Sequence, residues 1–207
     1  MEVLAELVNG GKTFSGKTVN LDADIDLADH YWISIGTTNN YKGGMKFSGI
    51  FDGQKHTISN INSVLTSSDK VGGLFGYVSG GTIRNVIIDS ASVSGATGGL
   101  RGLSCTVAVL QNGYIQNCSI VGDVSSIVDL KSDTPIGGIA GRVVDSGGNT
   151  VSASVVIDCI TGCTMVNVTT IENGNIVAAP LVGDPDMVYD GGGNAGGGND
   201  EPQVQLS

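Results

Sequence analysis

The chain is poor in charge, aromatic rings and long apolar runs, and each shortage excludes something. Charged residues make up 14% of 207, against a usual share of about 25%. That excludes a charge-rich disordered chain and a Glu- and Lys-rich coiled coil. No run of 18 apolar residues occurs, so no transmembrane helix is expected. Ten Lys and Arg are scattered among twenty Asp and Glu, and without a basic stripe to meet phosphate, nucleic acid is excluded as a partner. Aromatic residues are 5% of the chain, which leaves few rings for a carbohydrate platform. Cysteine is sparse as well. Cys105, Cys118, Cys159 and Cys163 are too few to staple a small scaffold, and His30 and His56 lie far from them in sequence. No metal site and no cofactor are expected.

What is present is glycine, 33 residues of it, roughly twice the usual share of about 7%. It does not recur at every third position, which excludes collagen. Residues 2–9 place Val3, Leu4, Leu7 and Val8 opposite Glu2 and Glu6, predicting a short amphipathic helix stopped by Gly10-Gly11. This segment lacks the cationic start and apolar centre of an export signal. From Lys12 onward, short runs of Val, Ile, Thr and Ser alternate with Gly, Asn and Asp. Between Thr18 and Leu27, alternation predicts one half-buried strand with Val19, Leu21, Ala23, Ile25 and Leu27 inward.

Self-similarity is the stronger signal. Ile58-Ser59-Asn60-Ile61, Ile83-Arg84-Asn85-Val86, Ile115-Gln116-Asn117-Cys118 and Val156-Ile157-Asp158-Cys159 share one pattern. A second series comprises Gly73-Leu74-Phe75-Gly76, Gly99-Leu100-Arg101-Gly102 and Gly138-Ile139-Ala140-Gly141, with Pro180-Leu181-Val182-Gly183 a worn copy. A constant pattern at variable spacing predicts an all-β solenoid of five to seven coils, about 22–30 residues each. Ile58, Ile83, Ile115 and Val156 would share one inward file, and asparagines would stack between coils as a hydrogen-bonded ladder. Cys118 and Cys159 take apolar places in the pattern and read as small buried residues; a Cys118–Cys159 or Cys159–Cys163 disulfide is the alternative. The domain expected is residues 1–183, with 1–11 as N-terminal cap and 12–183 as coils. Residues 184–207, acidic and glycine-rich, would be a tail or C-terminal cap.

These residues resemble the GLUG-motif repeats of bacterial adhesin-like surface proteins, also found beside immunoglobulin A metallopeptidases. The Gly-Leu-x-Gly elements match at Gly73 and Gly99, and Gly138 departs by one aliphatic swap. The most specific part is Phe47-Ser48-Gly49-Ile50-Phe51-Asp52-Gly53 running into His56-Thr57-Ile58-Ser59-Asn60, while Ser34 stands where the family often has proline. The resemblance covers about residues 3–165. It implies a right-handed parallel β-helix, export, and a cell-surface role with no defined ligand.

Polysaccharide-cutting enzymes need carboxylates converging on one face. Asp22, Asp24 and Asp26 share a strand face, and Asp52 lies near His56. The triplet reads as a solvated outer face, with a calcium site as the alternative. Asp52-Gly53 reads as a turn, and His56 as a corner or core residue satisfied by a local carbonyl rather than a general base. The most ligand-like patch is Tyr31, Trp32 and Tyr41 with Asp52 and His56. Tyr114 is a further ring on a loop. The function expected is non-enzymatic: an adhesive or spacer module, extracellular or at the cell surface, whose partner is a host or cell-surface glycan or protein. The rivals are a β-helix polysaccharide lyase or hydrolase, and a small glycan- or calcium-binding module.

Overall fold

The structure, a computed structural model, describes residues 1–28, 30–38, 43–66, 69–95, 102–128 and 136–148, and then the short strands at 156–157, 160–161, 164–166, 171–172, 175–176 and 178–179. Tyr41, Gly99, Leu100, Arg101, Asp158, Cys159, Cys163 and residues 180–207 lie outside the described residues. The fold is all-β with one short helix, Glu2–Asn9.

The strands fall into four parallel sheets and two antiparallel pairs among the described residues. The first sheet aligns Thr18–Asn20, Ile50–Asp52, Thr82–Arg84, Tyr114–Gln116 and Val156–Ile157 in that order. The second aligns Ile25–Asp26, Thr57–Val64, Ile87–Gly95, Ser119–Val128 and Ile160–Thr161, with Thr164–Val166 also on Ser119–Val128. The third holds Val71–Gly72, Gly102–Ser104, Ile136–Gly137 and Ala178–Ala179; the fourth holds Phe75–Ser79, Val107–Gln111 and Ala140–Val144. From Ile50 to Val144 the chain visits first, second, third and fourth sheet and then returns to the first. Each visit adds a strand beside the one laid down a unit earlier.

Register fixes the unit. Thr18 pairs with Ile50, Ile50 with Thr82 and Thr82 with Tyr114, steps of 32 residues. The step from Ile115 to Val156 is 41. The unit is therefore longer than the 22–30 residues expected. Thr37–Thr38 and Gly44–Met45 form an antiparallel pair inserted in the first unit. Around it Ile35 bridges to Phe75 and Phe47 to Val78.

Like packs on like along inward files. Val19, Phe51, Ile83 and Ile115 follow one another in the first sheet, and the backbone of Val156 is in register with Ile115. Ile25, Ile58, Ile88 and Ile120 do so in the second. Ile58 thus does not share a file with Ile83, contrary to the sequence pattern. Asn60, Asn85 and Asn117 all bend in the left-handed region (φ 56°, 54° and 49°), which asparagine tolerates better than other chiral residues. Asn85 and Asn117 close the first sheet, whereas Asn60 bends the strand within the second. One local motif serves two corners, and the 25-residue spacing between Ile58 and Ile83 marks the mismatch.

The Gly-Leu-x-Gly series is also re-registered. Leu74 N–H donates to the Cys105 carbonyl at 3.1 Å, and Cys105 N–H to that of Gly138 at 3.1 Å. Phe75 pairs with Val107, and Val107 with Ala140. Gly73-Leu74-Phe75-Gly76 is therefore followed by Cys105-Thr106-Val107-Ala108 and then by Gly138-Ile139-Ala140-Gly141. Gly102 pairs with Val71 instead. Gly73 sits at φ 148°, and a Cβ there would strike the Ser104 carbonyl, so glycine is required at that level.

The core follows from these files. Its aromatic part joins Phe14 to Phe47 (ring centroids 6.0 Å apart), Phe47 to Phe75 (5.4 Å) and Phe75 to Phe51 (5.3 Å), within the range of favourable ring pairs. Further along, Val107, Leu110, Ile115, Cys118 and Ile139 replace the rings. The helix contributes Leu4, Ala5 and Val8 to the same cluster. Val3, expected on the apolar side, is 68% exposed. Asn9, at the last helical position, donates to the Ser34 carbonyl at 3.1 Å and accepts the Gly36 N–H at 2.9 Å. The strand expected over Thr18–Leu27 is two strands in two sheets, and Ala23 faces solvent in the break between them.

Candidate functional site

The outward acids lie along one edge of the first unit, and each is answered by the unit after it. Gln54 Nε2 donates to Asp22 at 3.3 Å. Asp24 Oδ1 accepts the Thr57 N–H at 2.8 Å and lies 3.1 Å from His56 Nδ1. Asp26 Oδ1 accepts from Asn60 Nδ2 at 2.9 Å and from the Ala28 N–H at 2.8 Å. The bond from the Thr57 N–H, then that from His56, holds the Asp24 carboxyl below its ordinary value. Asn60, then the Ala28 N–H, does the same for Asp26. A hydrogen bond to the ionised form favours it.

Asp52 is the most enclosed of these acids. Arg84 Nε donates to its Oδ2 at 2.8 Å, and Oδ1 accepts from Asn85 Nδ2 at 2.9 Å and the Gln54 N–H at 3.0 Å. Burial pushes this carboxyl up. The hydrogen bonds from Asn85, Gln54 and Arg84, with the Arg84 charge, outweigh that and leave it lowered. The contact continues along the corner, where Asn117 Nδ2 donates to Asn85 Oδ1 at 2.7 Å. Asn85 and Asn117 thus stack as expected of the asparagines, with Asp52 as the next rung, whereas Asn60 bonds Asp26 and takes no part in that ladder.

The five residues of the ligand-like patch divide. Trp32 is 4% exposed, and its Nε1 donates to the Gly73 and Leu74 carbonyls at 3.1 Å each. It is a core residue rather than a platform. Tyr31 and Ile33 on either side are 78% and 72% exposed. Tyr41 lies outside the described residues. Asp52 and His56, four places apart in sequence, are held by different partners: Arg84 and Asn85 for the first, Asp24 for the second. Tyr114 is half-exposed at the start of its strand.

Sequence reasoning missed the partners Gln54, Arg84 and Asn85. The signal was available: Asp22 to Gln54, Asp24 to His56 and Asp52 to Arg84 are all offsets of 32 residues. Among the described residues, no three His, Cys, Asp or Glu side chains are grouped to hold a metal ion. No helix among them is long and apolar enough to cross a membrane.

No family model matches the chain, and no solved structure matches it. The chain is similar to halomucin of Haloquadratum walsbyi, at 30% identity over 155 residues. The aligned part is 68% of this chain, which spans 2% of that relative's length.

Proposed function

We propose that the chain is a non-enzymatic repeat module of a surface or secreted protein, built as a right-handed parallel β-helix with one turn per unit and acting as a spacer or adhesive stalk. The strand order supports the helix, because every sheet gains one parallel strand per unit and like residues meet between turns. The GLUG resemblance supplies its handedness and, with the likeness to a relative named as a mucin, the location outside the cell. The adhesive partner is a glycan or protein at a host or cell surface. One observation carries the non-enzymatic reading. Asp22, Asp24, Asp26, Asp52 and His56, the groups a polysaccharide-cutting enzyme would use, are engaged between turns. A general acid needs its proton available and its pKa raised, whereas Asp24, Asp26 and Asp52 are lowered.

Protease shaving of intact cells tests the location: peptides of this chain are expected in the released fraction. A chain found only in the cytosol would sink the surface reading. A polysaccharide panel tests the rest; a depolymerising activity that Asp52→Ala abolishes would replace the stalk with an enzyme.

A further inference from the structure

The three asparagine corners at 60, 85 and 117 differ at the residue two places on: Asn62, Ile87 and Ser119 respectively. Of the three, Asn117 alone opens an Asn-x-Ser triplet with a residue other than proline between, the acceptor sequence for an N-linked oligosaccharide. The fold presents that triplet in the required way. Asn117 is exposed, Cys118 turns inward and is buried, and the Ser119 N–H donates to the Val86 carbonyl at 2.9 Å. The carboxamide therefore projects from a fixed bend between the first and second sheets, on the polar side of the molecule.

We propose that Asn117 is an N-glycosylation site. The proposal rests on the surface reading, since the modifying machinery acts on exported chains. In the transfer, Asn117 Nδ2 forms a bond to the anomeric carbon of an oligosaccharide carried on a polyprenyl phosphate or pyrophosphate. The bond from that carbon to the phosphate oxygen breaks, the carrier leaves with the electron pair, and one amide proton passes to base. The second amide proton stays on Nδ2. It is the one that can keep the bond to Asn85 Oδ1, now 2.7 Å long, so the modified asparagine can remain in the ladder. A second triplet, Asn167-Val168-Thr169, lies outside the described residues.

The test is peptide mass spectrometry of the full chain purified from the surface and cytosolic fractions of its own cells. The peptide spanning Asn117 is expected to carry a glycan in the surface fraction. Ser119→Ala should remove it while leaving Asn117 in place, and Ser119→Thr should retain it. Circular dichroism of Ser119→Ala, unchanged from the parent, separates loss of the acceptor from loss of the fold. A surface-located chain with Asn117 bare overturns the site and leaves the surface reading standing. A chain confined to the cytosol with Asn117 bare overturns both.

Discussion

The outward sides of the first and fourth sheets repeat at nearly the same step, 32 residues on the first from Ile50 to Tyr114 and 32 then 33 on the fourth, with opposite chemistry. On the first sheet the outward row runs Asn20, Asp52, Arg84 and Gln116, with Asn85 and Asn117 beside it. These side chains meet water and one another, and their bonds cross from unit to unit. On the fourth sheet Tyr77, Ala108, Val109 and Val144, with Val71 of the third sheet, form a second apolar cluster, all buried, apart from the main core. Its polar members are locked in: Tyr77 Oη and Ser79 Oγ both donate to Gln111 Oε1, and Gln111 Nε2 donates to the Asp145 carbonyl at 2.8 Å. The outward face of the fourth sheet is thus largely buried too, as parallel sheets covered on both sides are, with Arg142 standing in register with Val109 in that row. The difference teaches where the molecule tolerates change. Outward does not mean exposed here.

The largest effect should come from the inward file that both sides share. Leu74 is fully buried, and burying it contributes about 2–3 kcal/mol. Leu74→Asp removes that and places an unpaired charge in the core, at a cost of several kcal/mol. Against a total stability of about 5–15 kcal/mol, the body should lose its cooperative melting transition. An unchanged transition by circular dichroism would refute the register that puts Leu74 inside.

The contrast between a buried and an exposed outward position is sharpened by one substitution made twice. Val109→Lys on the fourth sheet strands an ammonium in a fully buried cluster and should cost about 3–5 kcal/mol. Val121→Lys on the second sheet starts from a residue 42% exposed, paired in register with Asp89. It should shift stability by less than about 0.5 kcal/mol. Chemical denaturation of the two variants measures the gap, and equal losses would break the comparison.

Thr106 tests the same logic with the opposite sign. It occupies the buried level between Leu74 and Ile139, and its hydroxyl has no hydrogen-bond partner among the described residues. Thr106→Val keeps the shape and removes the stranded hydroxyl. It should stabilise by about 1 kcal/mol, raising Tm by roughly 2–4 °C in a chain of this size. A lowered Tm would mean that the hydroxyl is satisfied.

Much of this was legible in the residues, and what was not has a physical reason. The helix at 2–9, the strand-rich body, the contact of Asn117 on Asn85 and the inward Ile83 and Ile115 follow from periodicity and local motif. The register did not, because Asn60 and Asn85 solve the same local problem, a left-handed bend, at different corners. Local sequence carries bend chemistry and not the corner's address. Cys105 and Thr106 hid the true second copy of the Gly73 element: a Cβ at Gly73 would strike the Ser104 carbonyl and one at Gly76 the Gly36 carbonyl, whereas the equivalent places one unit on hold Cys105 and Ala108. Trp32 looked like a ligand platform because its neighbours Tyr31 and Ile33 are exposed; its burial depends on Gly73 and Leu74, some forty residues away. The acids were read correctly as outward, but their partners lay one unit on, visible only once the 32-residue step is known.

A further predicted effect concerns those acids and depends on pH. Asp24, Asp26 and Asp52 are each held below the ordinary value of 3.8. As pH drops toward 3.8 the unfolded chain takes up protons that the folded chain still refuses. The unfolded state then binds more protons, so stability rises with pH, is fully present above the ordinary carboxylate range, and is lost as pH falls through the folded-state values. Asp52→Asn should remove part of that dependence. At neutral pH it loses the charge-assisted bond to Arg84 and costs about 1 kcal/mol, softened because Arg84 is itself partly exposed. Below the folded-state values, where the parent carboxyl is protonated too, the variant and the parent should converge. Denaturation midpoints across an acid series measure the convergence. A deficit that stays constant down the series would assign the role of Asp52 to shape rather than charge, and the polar side of the molecule would then hold together by packing, as the fourth sheet does.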